Sequence, residues 1–265
     1  MGEQDASRPS DFEGQGVVIT GGTSGVGLAA AHRFAAAGVR DLALIGRDEA
    51  RGQAARETVR SAAPETRVEF VAADANDAEQ ATHAIEETER LIGPVGVVVN
   101  STTHTAVPTL LHDTPIGEIA TILTQQALAP MHMTRAALAV MRERKAGAII
   151  NIASDAAKLA TPGESVIGAA MAAIVMFSRT VAMEAKRDGV RVNVITPSLI
   201  NGTPTGERVL EGGFSAKLFT KAAGLAHLGV AEPDDLAELI VFLAGPGAKR
   251  ITGQAISVNG GISAA

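Results

Sequence analysis

Near the start of the chain, Thr20-Gly21-Gly22-Thr23-Ser24-Gly25-Val26-Gly27 has the composition to hold a pyrophosphate. It follows the β-branched run Val17-Val18-Ile19 and leads into Leu28-Ala29-Ala30-Ala31. Glycines in that setting let the backbone turn tightly and approach a dinucleotide, whose phosphates sit on the amide groups of a helix N-terminus. Gly21, Thr23, Ser24, Gly25, Val26 and Gly27 are the expected contacts; the plainer alternative is a glycine-rich turn with no ligand. A second group specifies the dinucleotide. The next apolar run ends at Ile45-Gly46-Arg47, with no carboxylate for a ribose 2′-hydroxyl. The planar fork of Arg47 suits a 2′-phosphate, so NADP(H) is expected in preference to NAD(H). A solvated surface arginine is the alternative reading, and the neighbouring Asp48 keeps NAD(H) open.

These residues need a scaffold, and the rest of the chain spells one. Short β-branched runs recur at Val17–Ile19, Leu42–Ile45, Val68–Val71, Val95–Val99, Ala148–Ile152, Val190–Ile195 and Ala255–Val258. Between them lie helical patterns such as Ala78, Ala81, Ile85, Thr88 and Ile92, whose spacing puts one apolar stripe on a helix. The alternation predicts an α/β fold: a single Rossmann-like, doubly wound parallel sheet of about seven strands with helices on both faces. Ligands on such sheets bind at the carboxyl ends of the strands. Residues 1–14 are polar and read as a flexible tail, leaving 15–265 as one domain. Residues 197–232 break the rhythm with Gly, Thr and Pro and a weak helical pattern around Ala216 to Ala226. A long excursion of this kind is expected to be a substrate loop or lid, with a floppy insertion as the alternative.

Composition narrows the partners. The net charge of −6 argues against nucleic acid and anionic membrane. The chain has no cysteine, which excludes disulfides and thiolate metal sites, and no metal site is expected. No segment is read as approaching the length of a membrane span, and the N-terminus lacks the apolar core of a signal peptide. A cytoplasmic protein acting on a small molecule is the expectation.

From about Gly16 to Ile262 the chain resembles a short-chain dehydrogenase/reductase of the compact, single-domain branch. The glycine loop is similar to that family's Thr-Gly-x-x-x-Gly-x-Gly signature. Asp74, followed by Ala75, resembles the carboxylate that holds the adenine amino group. Asn100-Ser101-Thr102-Thr103 stands where the family has Asn-Asn-Ala-Gly, and Thr103 at the glycine position is expected to narrow the cofactor pocket. Pro197-Ser198 stands for Pro-Gly, with Ile200 and Thr203 resembling residues that contact the nicotinamide carboxamide. The run Ile251-Thr252-Gly253-Gln254-Ala255-Ile256-Ser257-Val258-Asn259-Gly260-Gly261 is similar to the family's last strand and C-terminal segment.

The resemblance implies an oxidoreductase using Ser, Tyr and Lys, usually with an Asn. Ser154, after Ala148 to Ala153, corresponds to the serine that orients the substrate. Gln126 falls at the asparagine position, within a register of one. The chain contains no tyrosine at all. In the frame of Tyr-x-x-x-Lys it reads Ile167-Gly168-Ala169-Ala170-Met171, so Ile167 and Met171 occupy the Tyr and Lys positions.

Losing a positioned general acid forfeits roughly a 10²–10⁴-fold acceleration, but holding reactants together supplies about 7–11 kcal/mol independently. The resemblance therefore implies an atypical NADP(H)-dependent keto reduction, with the proton from substrate, water or a non-tyrosine group. Asp155, Lys158 and His104 are candidate donors, each otherwise an ordinary solvated loop residue. His112 is a weaker candidate, and His132 reads as packed in an apolar run. A hydroxyaryl ketone, carrying its own internal hydrogen bond, is the substrate that fits this loss. A second reading is a non-catalytic subunit or nucleotide-binding regulator of an active paralogue. Ala169, Ala170, Ala172 and Ala173 give α-helical packing a small-residue face, on a helix that resembles half of a subunit interface. A homo-oligomer, dimer or tetramer, is expected, and a hetero-oligomer under the second reading. A non-redox lyase or cyclase is the third.

Overall fold

The structure, a computed structural model, describes residues 11–264. All seven expected runs lie in strands: β1 (Gly16–Thr20), β2 (Asp41–Gly46), β3 (Arg67–Ala72), β4 (Val95–Asn100), β5 (Gly147–Ile152), β6 (Val190–Pro197) and β7 (Ala255–Val258). They form one sheet in the order β3-β2-β1-β4-β5-β6-β7, and every pairing is parallel. The order reverses between β1 and β4, where a crevice opens beyond the register partners Thr20 and Asn100.

The helices are α1 (Gly25–Ala36), α2 (Glu49–Ala62), α3 (Ala78–Ile92), α4 (Ile119–Arg144), α5 (Ser165–Ala185), α6 (Pro204–Leu210), α7 (Gly213–Ala223) and α8 (Pro233–Ala244). Strand side chains alternate between faces, so β1 serves two cores. Val17 and Ile19 pack with Phe34, Val59, Leu236 and Ile240 of α1, α2 and α8. Val18 packs with Ile85, Met133, Met141 and Val181 of α3, α4 and α5. Cover on both faces explains why the strands read as continuous apolar runs. In α3, Ala81, Ile85, Thr88 and Ile92 are buried as expected and Ala84 joins them, while Ala78 is exposed in the first turn.

Four expectations need correction. Most of the predicted tail lies outside the described residues, but 11–14 form a turn, and Phe12 is buried edge-to-face on Phe34 at 5.4 Å. An aromatic with a partner outweighs the polar composition around it. The segment 197–232 is more ordered than its composition suggests. Pro204 starts α6, where its missing N–H costs nothing, and α7 ends at Ala223 rather than Ala226. The base of the segment closes through an Ile200–Ala231 bridge. One stretch, Ser165–Asp188, is long and apolar enough to cross a membrane, with mean hydropathy 1.8. It is largely α5, whose Ala170, Ile174, Val181 and Ala182 are buried in the domain. The alanines of α5 do not share one outer face: Ala170 is fully buried, Ala169 is exposed, and Ala172 and Ala173 are half-buried.

Candidate functional site

The glycine loop runs from β1 into α1 at the sheet's crevice. Gly21 adopts φ +75°, and a Cβ there would lie 2.5 Å from the Ser101 carbonyl oxygen. A Cβ on Gly27 would lie 2.2 Å from the Gly21 carbonyl oxygen. These two glycines are thus demanded by the chain's own close packing of strand, loop and helix. Gly27→Ala is expected to cost about 1–3 kcal/mol by overpacking and to weaken NADPH binding with it. A thermal melt and a titration check both, and an unchanged melt would refute the close approach.

The loop also leaves a helix end open. Ser24 is the N-cap of α1, yet its side chain caps nothing and the first turn carries no acidic residue. By contrast, Asp48 accepts from Arg51 N at 2.9 Å to cap α2, and Asp77 caps α3 through Gln80 N. An uncapped N-terminus behind a glycine turn is where an anion is stabilised. Val26 is buried in the core at the second position of the helix. Thr23 and Ser24 are half-buried, and Thr23 Cγ2 lies 3.1 Å from where a Gly46 Cβ would stand, joining the loop to the end of β2.

Arg47 follows directly, exposed, with Nη1 3.9 Å from Asp74 Oδ2. Asp48, by contrast, is engaged at the start of α2, its Oδ1 accepting from Arg51 N and its Oδ2 3.5 Å from Arg51 Nε. Asp74 Oδ1 accepts from Asn76 N at 3.0 Å, and Ala75 is buried with its carbonyl 3.3 Å from His132 Nδ1. His132 is therefore partly packed, as expected, with a backbone partner. Beneath the crevice, the Thr20 hydroxyl and Asn100 Oδ1 are buried without a protein partner among the described residues. Asn100 Nδ2 donates to Asn151 Oδ1 at 2.8 Å, and Asn151 Nδ2 donates to Ser178. Open backbone donors, an exposed cation at the end of β2 and orphaned polar atoms below fit a phosphorylated dinucleotide.

The other half of the candidate site is built from the ends of β4, β5 and β6. Ser154 follows β5 and its Oγ accepts from Ala156 N at 3.2 Å. Gln126 is buried in α4; its Oε1 accepts from His104 N at 3.1 Å and from the Thr103 hydroxyl at 3.4 Å. Pro130, four residues on, has no N–H to give the Gln126 carbonyl. Thr103 is exposed, with its hydroxyl turned onto the buried Gln126. Ile167 is half-buried and Met171 buried, in an apolar cluster with Ala127, Ala153, Ile174 and Val194. Ile200 packs against the core, while the Thr203 hydroxyl is used within its own turn, donating to Ile200 O and accepting from Gly206 N. Thr203 Cγ2 also lies 3.4 Å from a Gly25 Cβ position, bringing the 197–232 segment against the glycine loop.

The candidate donors separate. His104 is half-buried and its Nδ1 accepts from Ala106 N, whereas His112 is exposed beside Asp113. Asp155 and Lys158 are not solvated loop residues. Asp155 is buried, accepting from Ser257 Oγ at 2.9 Å, Ser263 Oγ at 2.9 Å and Asn259 Nδ2. Lys158 Nζ stands 3.5 Å from Asp155 Oδ1 and also meets Ser257. Loop position in sequence gave no sign of this burial; the only available signal was the run of Ser and Asn in the C-terminal segment. Glu164 was missed altogether: it is half-buried beside the start of α5, and burial pushes its carboxyl above the ordinary range. A separate groove of about 630 Å³ beside α4 is lined by charges that pair among themselves, Arg142 and Lys145 on Asp188, and offers no comparable chemistry.

Residues 21–263 match the family model described as enoyl-(acyl carrier protein) reductase. The chain belongs to the short-chain dehydrogenase/reductase family. That is a family of oxidoreductases, and the match covers both the glycine loop and the C-terminal segment. Among its relatives, 2-(S)-hydroxypropyl-CoM dehydrogenase 3 of Xanthobacter autotrophicus is 30% identical, with 94% of this chain and 96% of that protein covered. The NADP-dependent (R)-specific alcohol dehydrogenase of Lentilactobacillus kefiri is 31% identical over 96% of this chain and 98% of its own. The crystal structure of levodione reductase superposes with a TM-score of 0.88 at 25% identity, covering 96% of this chain and 98% of that one.

Proposed function

We propose that this short-chain dehydrogenase/reductase is an atypical, cytoplasmic NADPH-dependent reductase of small ketones, in which a group other than tyrosine supplies the proton. The observation that carries the reading is the uncapped α1 terminus beside Arg47, with Asp48 withdrawn into its helix cap. The NADP dependence named for the Lentilactobacillus kefiri relative supports it. Gly21, Thr23, Ser24 and Gly25 would hold the pyrophosphate, Arg47 the 2′-phosphate, and Asp74 and Ala75 the adenine end. Bound there, NADPH supplies a hydride. Ser154 holds the substrate carbonyl, and Gln126 fixes the loop after β4 through His104 N. The apolar side chains of Ile167 and Met171, where Tyr and Lys would stand, exclude water from the carbonyl without donating to it. Residues 197–232 act as the lid, and hydroxyaryl ketones are the substrates that best tolerate a weak acid.

Removing the Ser154 hydroxyl tests the assignment. Ser154→Ala is expected to slow ketone reduction about 10-fold, the worth of one hydrogen bond of about 1.4 kcal/mol. Single-turnover NADPH oxidation measures it, and an unchanged rate would remove Ser154 from the mechanism. A second reading, a non-catalytic subunit, is favoured by Met176 and Met183, both 61% exposed on α5. It predicts a stable complex with an active relative on co-purification, whereas the reductase reading predicts a homo-oligomer by sedimentation.

A further inference from the structure

One amide in the site has a donor that nothing else in the chain uses. Gln126 is 3% exposed in α4, and its oxygen is occupied: Oε1 accepts from His104 N at 3.1 Å and from the Thr103 hydroxyl. A backbone N–H can only donate, so it fixes which end of the amide is oxygen and turns Nε2 to the other side. Nε2 has no protein partner among the described residues, and unlike the Thr20 hydroxyl and Asn100 Oδ1 it is not sealed from solvent. An idle donor at so enclosed a position costs free energy unless a solvent or ligand oxygen accepts from it.

A ladder of side chains near the end of the sheet gives its height. Asn100 Nδ2 donates to Asn151 Oδ1 at 2.8 Å and lies 3.5 Å from Thr134 Oγ1, while Asn151 Nδ2 donates to Ser178 Oγ. From that level α4 runs down the sheet, since Arg144 at its end bonds Glu89, which accepts from Val95 N at the start of β4. The last residue of α5, Ala185, likewise packs in one core with Val190 at the start of β6. Upward from the ladder, Gln126 stands eight residues before Thr134, about 12 Å along a helix. Met171 stands seven before Ser178, about 10 Å. Ser154 stands three beyond Asn151, about 10 Å of extended chain. The three share one level above the carboxyl edge of the sheet.

Helical phase gives the direction. Gln126 is two turns before Met133, so the two project from one face of α4. Met133 packs with Val18 of β1 and Val98 of β4. The Gln126 amide therefore faces the crevice between those strands. Its neighbour Ala127 is in one packed cluster with Met171 and with Ala153, the residue before Ser154. The Ser154 hydroxyl accepts from Ala156 N and keeps its own proton to donate.

We propose that Gln126 Nε2 is a catalytic donor which, with the Ser154 hydroxyl, holds the substrate oxygen as it becomes an alkoxide. The inference rests on the reductase reading. In the step, the carbonyl carbon gains a hydride from the reduced nicotinamide and its π pair moves onto oxygen. The amide keeps its proton. The alkoxide takes one from water, leaving an alcohol, an oxidised nicotinamide and a hydroxide that buffer neutralises. The apolar Ile167 and Met171 suit this role, because fixed donors aimed at a developing charge are worth more where water is excluded.

Gln126→Glu separates this role from a structural one: its carboxylate still accepts from His104 N, and only the donor is lost. Q126E is expected to bind NADPH as wild type does and to reduce plain aryl ketones about 10²–10³-fold more slowly, through kcat rather than KM. The loss should be smaller on ortho-hydroxyaryl ketones, whose oxygen already accepts an internal bond. A second readout needs no turnover. An aryl ketone isotopically labelled at its carbonyl, bound with oxidised cofactor, shows a lower infrared stretching frequency for each donor on its oxygen. That band should move up in Q126E. If the carboxylate prevents folding, the uncharged Gln126→Met serves for both readouts. A variant that matches wild type on plain ketones, or leaves the band in place, overturns the assignment alone. A wild type that binds NADPH yet reduces no ketone overturns the reductase reading and the assignment together.

Discussion

Asp155→Ala is expected to destabilise the protein by about 3–5 kcal/mol, the usual effect of breaking a buried, hydrogen-bonded charge cluster. The carboxylate is 5% exposed and is the shared acceptor for Ser257, Asn259 and Ser263. Removing it leaves two half-buried hydroxyls and a buried amide without that acceptor, and unmade bonds of this kind cost more than made ones contribute. The damage should spread. The C-terminal segment also holds the base of the 197–232 segment, since Leu228 N donates to Gly260 O at 3.1 Å. A Cβ on Gly260 would fall 1.8 Å from the Gly229 carbonyl oxygen, so the two backbones are in tight contact. Urea denaturation gives the loss directly, and proteolysis of the native variant within 197–232 reports the loosened segment. A loss under about 1 kcal/mol would place Asp155 among ordinary surface carboxylates.

Arg47→Asp is expected to weaken NADPH about 100-fold and to narrow or reverse the preference over NADH. The wild-type guanidinium is 65% exposed and only loosely tied to Asp74 at 3.9 Å, so it is available to a phosphate. Charged hydrogen bonds contribute about 1.5–3 kcal/mol, and about 1.4 kcal/mol is a factor of ten in affinity. The new carboxylate would repel a 2′-phosphate and accept from a 2′-hydroxyl instead. NADH affinity therefore rises or holds while NADPH affinity falls. Equal losses for both cofactors would mean that Arg47 supports the loop rather than reading the phosphate.

The sheet was legible because its strands are covered on both faces, which forces unbroken apolar runs such as Val95–Val99. The glycine loop was legible for a related reason: Gly21 and Gly27 are the residue types the strand–helix junction admits. Where one element's periodicity sets the structure, the sequence carries it. The substrate side was legible only in part. Ser154, Gln126, Ile167 and Met171 were placed by register along β5, α4 and α5, and the structure brings their segments together at the strand ends. Asp155 and Glu164 were not distinguishable from solvated loop residues. The burial of Asp155 depends on Ser257, Asn259 and Ser263, all more than a hundred residues away and arriving only when β7 docks. For Glu164 it depends on the loops that meet at Gly163. Local sequence also misjudged the turn at Phe12, because its partner Phe34 sits across α1.

The most direct test of the account is a titration of the wild-type chain with NADPH and with NADH, followed by nicotinamide fluorescence. With no tryptophan and no tyrosine in the chain, the protein contributes little background. The account predicts saturable binding of both with NADPH at least about 10-fold tighter, a difference of about 1.4 kcal/mol set at Arg47. Binding of neither, or tighter binding of NADH, would contradict it.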